Sequence, residues 1–138
     1  MYFATSIRGA GSDLELAREV ISILKDEGHD VVNEEIYLPG SPDETADDSY
    51  VFERDMKMLG EADILLADVT HPSLGVGYEI CEALRRGKEV IAFYRRGTKV
   101  SKLISGNPDL ILLEFSDVRE LLRGILSALG HTGRVRLG

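Results

Sequence analysis

Residues 63–69, Asp-Ile-Leu-Leu-Ala-Asp-Val, constrain the fold of this chain more than any other stretch. Five of the seven are apolar, with no polar alternation among them, so a strand built from them has no face to offer water. Such a strand belongs in the middle of a parallel sheet with helices over both faces. The neighbouring segments agree. Residues 2–5, 30–33, 89–94 and 110–115 are further short apolar runs. Between them lie helical patterns. Leu16, Val20, Ile23 and Leu24 follow a cap at Ser12 or Asp13 and stop at Gly28. Residues 49–60 carry Phe52, Met56 and Leu59 on one face, residues 76–86 end at Gly87, residues 99–105 form a short helix, and 118–129 close the domain. Strand and helix in alternation predict an α/β domain of three layers, flavodoxin-like or Rossmann-like, with a five-stranded parallel sheet. The 138 residues make one domain over 1–130, and 131–138, which lack a core pattern, read as a flexible tail.

Charge narrows the partners. With 24 acidic against 16 basic side chains and a net charge of −8, no basic face is expected for a nucleic-acid polymer. A small anion held by a local site remains compatible. No apolar run approaches the roughly 20 residues a membrane span needs. Residues 1–5 lack the basic and long apolar regions of a secretory signal, and the single cysteine, Cys81, cannot form an internal disulfide. Both point to the cytoplasm. Cys81 itself reads as a small core residue on a helix. His29, His71 and His131 are too scattered to suggest a metal site.

In sheets of this kind, ligands bind beyond the carboxyl ends of the strands. That singles out the loops at 6–11, 34–48, 70–77 and 95–100. In the first, Ser6-Ile7-Arg8-Gly9-Ala10-Gly11 follows a strand and opens a helix. Glycines let backbone N–H groups approach an anion, Ser6 adds a hydroxyl and Arg8 a fixed cation. The run is neither G-x-G-x-x-G nor a Walker A loop, and a plain tight turn would look the same. The long loop at 34–48 is rich in acids and has the length of a binding loop or lid. The third loop leads into Pro72-Ser73-Leu74-Gly75-Val76-Gly77-Tyr78-Glu79. Ser73 can donate a hydrogen bond, Gly75 and Gly77 leave room for a ligand, and Glu79 falls in the first helical turn. There it either faces a cleft or complements the helix dipole. Asp55 sits beside the Phe52–Met56–Leu59 stripe, as a cleft carboxylate or a solvated surface acid. Tyr2 opens the first strand as a core aromatic with its hydroxyl at the edge.

Taken together, Tyr-Phe-Ala-Thr-Ser-Ile-Arg-Gly at 2–9, Asp55, and the octapeptide at 72–79 resemble the nucleoside 2-deoxyribosyltransferase superfamily. The resemblance is greatest to its 2′-deoxynucleoside 5′-monophosphate N-glycosidase branch, and extends to about Leu129. It implies that Glu79 attacks the anomeric carbon of the sugar, that Tyr2 orients that carboxylate, and that Asp55 protonates the departing base. It implies that Ser6, Ile7, Arg8 and Gly9 surround the 5′-phosphate and that Ser73 also contacts it; Gly75, which leaves room for a ligand, is a further substrate-binding candidate. Ser101 resembles a serine that reaches the phosphate from a neighbouring subunit, which implies a homodimer. No metal or organic cofactor is implied. The expected products are a free base and a (deoxy)ribose 5-phosphate, through oxocarbenium-like chemistry served by two carboxyl groups in different environments.

Two relatives of this activity stay open at this point. Nucleoside 2-deoxyribosyltransferases pass the sugar to another base, and typical members carry an aspartate where this chain has Ser73. A carboxylate there repels a 5′-phosphate, so the serine favours a monophosphate. A ribonucleotide N-glycosidase acting on CMP is the other. Mammalian members of the N-glycosidase branch read Thr-Glu-His where this chain has Asn33-Glu34-Glu35, so their base preference is not carried over. A third class is a non-catalytic nucleotide-binding or receiver-like module, which the fold alone permits. Asp63 and Asp68 flank the third predicted strand, but no acidic pair ends the first, as a receiver would want.

Overall fold

The computed structural model describes residues 1–7, 13–40 and 45–137, with backbone alone for 131–137. Its elements run β1 (Tyr2–Ala4), α1 (Leu14–Asp26), a 3₁₀ turn (Glu34–Tyr37), α2 (Asp48–Glu61), β2 (Ile64–Asp68), α3 (Leu74–Arg85), β3 (Glu89–Arg95), α4 (Lys102–Ser105), β4 (Ile111–Phe115) and α5 (Val118–Leu137). The four strands pair in the order β1-β2-β3-β4, all parallel.

The apolar run at 63–69 is the centre of this sheet, with every residue of β2 buried. Side-chain parity divides the core in two. Phe3, Ile64, Leu66, Ile91 and Phe93 face α1 and α5, where Val20, Leu24, Leu121 and Ile125 meet them. Tyr2, Ala4, Leu65, Ala67, Val90 and Ala92 face α2 and α3, against Leu59, Val76, Ile80 and Ala83. The three layers are therefore present. Asp13 caps α1, its carboxylate accepting from Leu16 N at 3.1 Å, and Gly28 ends the helical segment at φ +90, a left-handed turn that favours glycine. Ser12, the alternative cap, lies outside the described residues.

The expected fifth strand at 30–33 is absent: among the described residues the sheet has four strands. This segment still runs beside β1, but a side chain replaces the backbone ladder. Phe3 N donates to Asn33 Oδ1 at 2.9 Å, Asn33 Nδ2 donates to Phe3 O at 2.7 Å, and Val32 N donates to Met1 O at 2.8 Å. The Asn33 amide carries one donor and one acceptor in the spacing of a peptide group, so it satisfies Phe3 as a neighbouring strand would. Tyr37 adds its hydroxyl to the same Phe3 carbonyl at 2.7 Å. A Val-Val pair gives the look of a strand, while the polar residue after it makes the bonds.

Smaller differences have plain causes. Cys81 is exposed on α3, because Val76, Ile80 and Ala83 already fill the face that meets the sheet. Phe52 is half-exposed and packs edge-on against Tyr78, at 6.2 Å between ring centres, leaving Leu59 as the buried residue of α2. α5 continues in backbone past Leu129 to Leu137.

Candidate active site

Three elements bring three polar side chains to one place. Tyr2 is the first residue of β1 and, by parity, points to the α2/α3 side of the sheet. Asp55 lies midway along α2, on the turn preceding buried Leu59. Glu79 follows Val76 by three positions and precedes Ile80, so it lies beside the buried stripe of α3. α3 starts at Leu74 rather than near Val76, with Ser73 as cap, its Oγ accepting from Val76 N at 3.2 Å. Glu79 is thus in the second turn of the helix, beyond the orphan N–H groups of the first. Helix-dipole complementation does not account for a carboxylate there.

The Tyr2 hydroxyl lies beside the Glu79 carboxylate and favours its ionised form as a donor, and Asp55 is close enough for its charge to act on both. Burial pushes the Glu79 carboxyl up to about 7; the Tyr2 hydroxyl works against that rise, and the Asp55 charge adds to it. The Tyr2 phenol, at 2% exposure, is pushed well above its ordinary range by burial first and then by Glu79 and Asp55. It therefore stays a neutral donor. A carboxylate that titrates near neutrality between a fixed phenol and a second carboxylate is suited to attack or proton exchange.

Asp55 has a partner that sequence reasoning missed. Arg54 donates from Nε at 3.0 Å and from Nη2 at 2.9 Å to Asp55 Oδ1. The side chains are only 18% and 22% exposed, so solvent screens the pair weakly. The Arg54 guanidinium also stands 5.8 Å from the centre of the Tyr50 ring. Nothing in the periodicity of α2 marks Arg54, since adjacent helical residues do not share a face. Its adjacency to a candidate carboxylate was the one available signal.

The phosphate-side candidates divide. Ser6 and Ile7 follow the end of β1, with Ser6 half-buried and Ile7 40% exposed. Arg8 and Gly9 lie outside the described residues, as does part of the acidic loop, 41–44. Ser73 and Gly75 sit at the start of α3. A side chain at Gly75 would meet only Ser73 Oγ, at 3.9 Å, so the space beside this turn is open. Ser101 caps α4, accepting from Leu103 N at 3.3 Å. It shares with Ser73 an apolar groove of about 730 Å³ between α3 and the α4 region; Tyr2, Asp55 and Glu79 do not line it. Within one chain, then, the structure unites Tyr2, Glu79 and Asp55 and places Ser101, with Ser73, in a groove that these three do not line.

A second cluster occupies the carboxyl ends of the central strands. Arg95 pairs with Asp13 at 2.7 Å, Arg95 N donates to Thr70 Oγ1 at 3.1 Å, and Thr70 N donates to buried Asp68 at 3.0 Å. Burial raises the Asp68 carboxyl above its ordinary range. These bonds tie α1, β2 and β3 together.

Comparison with known proteins shows similarity of family and of fold. Residues 1–125 match the family model described as nucleoside 2-deoxyribosyltransferase. A Nematostella vectensis protein named "Putative 2′-deoxynucleoside 5′-phosphate N-hydrolase 1" is 35% identical over 139 residues, covering 94% of this chain and 95% of that protein. The mouse 5-hydroxymethyl-dUMP N-hydrolase is 36% identical over 115 residues, covering 79% and 66%. Among solved structures, the CMP N-glycosidase BcmB of Clostridium botulinum superposes with a TM-score of 0.65 at 20% identity, over 91% of this chain and 98% of that one. That likeness is one of fold.

Proposed function

This chain belongs to the nucleoside 2-deoxyribosyltransferase family, and we propose that it is an N-glycosidase that hydrolyses 2′-deoxynucleoside 5′-monophosphates to the free base and deoxyribose 5-phosphate. The observation that carries the reading is the meeting of Tyr2, Glu79 and Asp55 from three separate elements, with Glu79 poised near neutrality. Relatives named for hydrolysis of deoxynucleoside phosphates, 35–36% identical, support the reaction class.

The chemistry follows from the groups. As the bond from C1′ to the base nitrogen lengthens, positive charge grows on the sugar. The Glu79 carboxylate, oriented by the Tyr2 hydroxyl, stabilises that charge and bonds to C1′. The electron pair of the broken bond leaves with the base, which takes a proton from Asp55. Water then attacks C1′ of the glycosyl ester, giving one proton back to Asp55 and freeing Glu79 with the sugar phosphate. Ser6, Ile7, Arg8, Gly9, Ser73 and Gly75 form the 5′-phosphate cradle. Ser73 supports a monophosphate over a nucleoside, because a hydroxyl tolerates the phosphate charge that an aspartate would repel.

The proposal includes a cytoplasmic homodimer. Leu74 and Leu103, 96% and 85% exposed, flank the groove that holds Ser73 and Ser101. Two bare leucines beside one apolar groove support an interface on this face. A second copy seated there would cover them and let Ser101 serve the neighbouring site. The test is a panel of ribo- and deoxynucleotides and deoxynucleosides, with released base and sugar phosphate measured, alongside Glu79→Ala. Release that survives Glu79→Ala unchanged refutes the assignment. Product appearing only with a second base present makes the enzyme a transferase.

A further inference from the structure

Among the described residues, Arg54 is a largely buried cation beside the Tyr2, Glu79 and Asp55 cluster that neither the octapeptide nor the phosphate loop accounts for. Its two N–H groups converge on one Asp55 oxygen, at 3.0 and 2.9 Å, with both side chains about four-fifths buried. Charge-assisted hydrogen bonds of this kind hold a carboxylate in its ionised form and in one orientation. The Tyr50 ring beside the guanidinium limits its freedom further. Among the described residues, Asp55 is also faced by Glu79 from α3 and Tyr2 from β1, and Tyr37 stands near Tyr2. None of these three brings a positive charge.

We propose that Arg54 is a positioning residue for the carboxylate pair: it fixes Asp55 ionised and aimed into the cleft, so that the proton the pair carries rests on Glu79 in the free protein. The inference rests on the reading that Glu79 and Asp55 act on one glycosidic bond. That reading needs the opposite distribution, with Glu79 ionised to attack and Asp55 protonated to release the base. The proton must therefore pass from Glu79 to Asp55 before the bond breaks. Glu79 loses one proton, Asp55 gains one, and the pair's charge stays at −1. Arg54 sets how readily that exchange occurs, and through it the acid limit of activity. Below that limit Asp55 takes a second proton while Glu79 keeps its own, and no nucleophile remains.

The test is a pH titration of the side-chain carboxyl carbons of ¹³C-labelled full-length protein, as wild type, Arg54→Gln and Arg54→Lys. On acidification of the wild type, Glu79 protonates before Asp55. Arg54→Gln raises the Asp55 midpoint by about one pH unit or more, and Arg54→Lys, which keeps the charge, returns it most of the way. The acid limb of kcat/KM for a deoxynucleoside monophosphate moves with it, which a merely structural arginine would not cause. Asp55 protonating first in the wild type, or an Asp55 midpoint unmoved by Arg54→Gln, overturns the inference. Should Arg54→Gln not fold, the wild-type order and the Arg54→Lys midpoint decide it. The two readings fail separately. The expected titration without base release from any nucleotide sinks the glycosidase and leaves Arg54 its role, whereas base release with Asp55 protonating first does the reverse.

Discussion

Replacing Tyr2 by Phe removes one oxygen from the centre of the site and little else. The ring is 2% exposed and packed on the α2/α3 face of the sheet, and phenylalanine keeps its outline. What is lost is the donor that favours ionised Glu79. A hydrogen bond to a charged acceptor contributes about 1.5–3 kcal/mol. At about 1.4 kcal/mol per pH unit, its loss raises the Glu79 midpoint by about one to two units above its present value. With that value about 7, ionised Glu79 at pH 7 falls from about half of the molecules to between about a tenth and a hundredth. The sign for stability is also fixed. Glu79 titrates higher folded than unfolded, so the folded chain holds the extra proton between the two midpoints. Stability is fullest below the ordinary glutamate range and falls as pH rises through the folded midpoint. In Tyr2→Phe that fall continues about one to two units further, deepening the loss by about 1.4 kcal/mol for each. Carboxyl-carbon NMR titration gives the midpoint, and urea unfolding at pH 6 and pH 9 gives the stability difference. A Glu79 midpoint that stays put or falls in Tyr2→Phe refutes the reasoning, since the hydroxyl would not then be donating to the carboxylate.

Other outcomes follow from single contacts. Asn33→Ala strips the donor–acceptor pair from Phe3 and leaves its buried N–H unpartnered, costing about 2–3 kcal/mol in urea unfolding; a loss under about 0.5 kcal/mol would mean that water replaces the amide. Ser73→Asp keeps a good helix cap while placing a negative charge at the proposed phosphate, so KM for a deoxynucleoside monophosphate rises at least about tenfold while α3 stays folded by circular dichroism. An unchanged KM would move the phosphate elsewhere. Leu74→Glu with Leu103→Glu places charge on the bare rim of the groove, and the double variant elutes as a monomer where the wild type elutes as a dimer. A variant that stays dimeric assigns the interface to another face.

The layers of this fold were legible because β2 carries no polar alternation and each flanking helix shows one apolar stripe. Tyr2, Asp55 and Glu79 were legible as a set through the resemblance, and parity then explains why they meet: all three belong to the α2/α3 side. The miscount at 30–33 has a different origin. Periodicity reports where side chains go, and Val31 and Val32 do point as strand residues would. Whether the backbone pairs is decided by Asn33, whose amide takes over the ladder bonds of Phe3. Phe52 and Cys81 failed for one shared reason. The apolar stripe of a helix is read as core, but Phe52 and Cys81 lie off the faces of α2 and α3 that meet the sheet, and both stay largely exposed. Arg54 left no periodic trace at all, because its role comes from a bond to its own chain neighbour.

Asn33 also explains how so short a strand holds a reactive group. β1 has three residues and pairs with β2 along one edge. On the other edge a three-residue strand would expose Phe3 to water and leave Tyr2 free to rotate with the frayed chain end. Asn33 and Tyr37 close that edge by bonding Phe3 itself, between Tyr2 and Ala4. Phe3 is pinned on the α1 side by its ring, 5.5 Å from Tyr37 and 6.0 Å from Phe93, which leaves its neighbour Tyr2 committed to the opposite face. The phenol is therefore held from behind the sheet, by contacts that never touch the cleft. Glu79 stays near neutrality only while that donor stays in place, since burial alone would push the carboxyl further toward its protonated form. The edge of the sheet and the acidity of the nucleophile are then one mechanical system, joined through the alternation of two residues on a single strand.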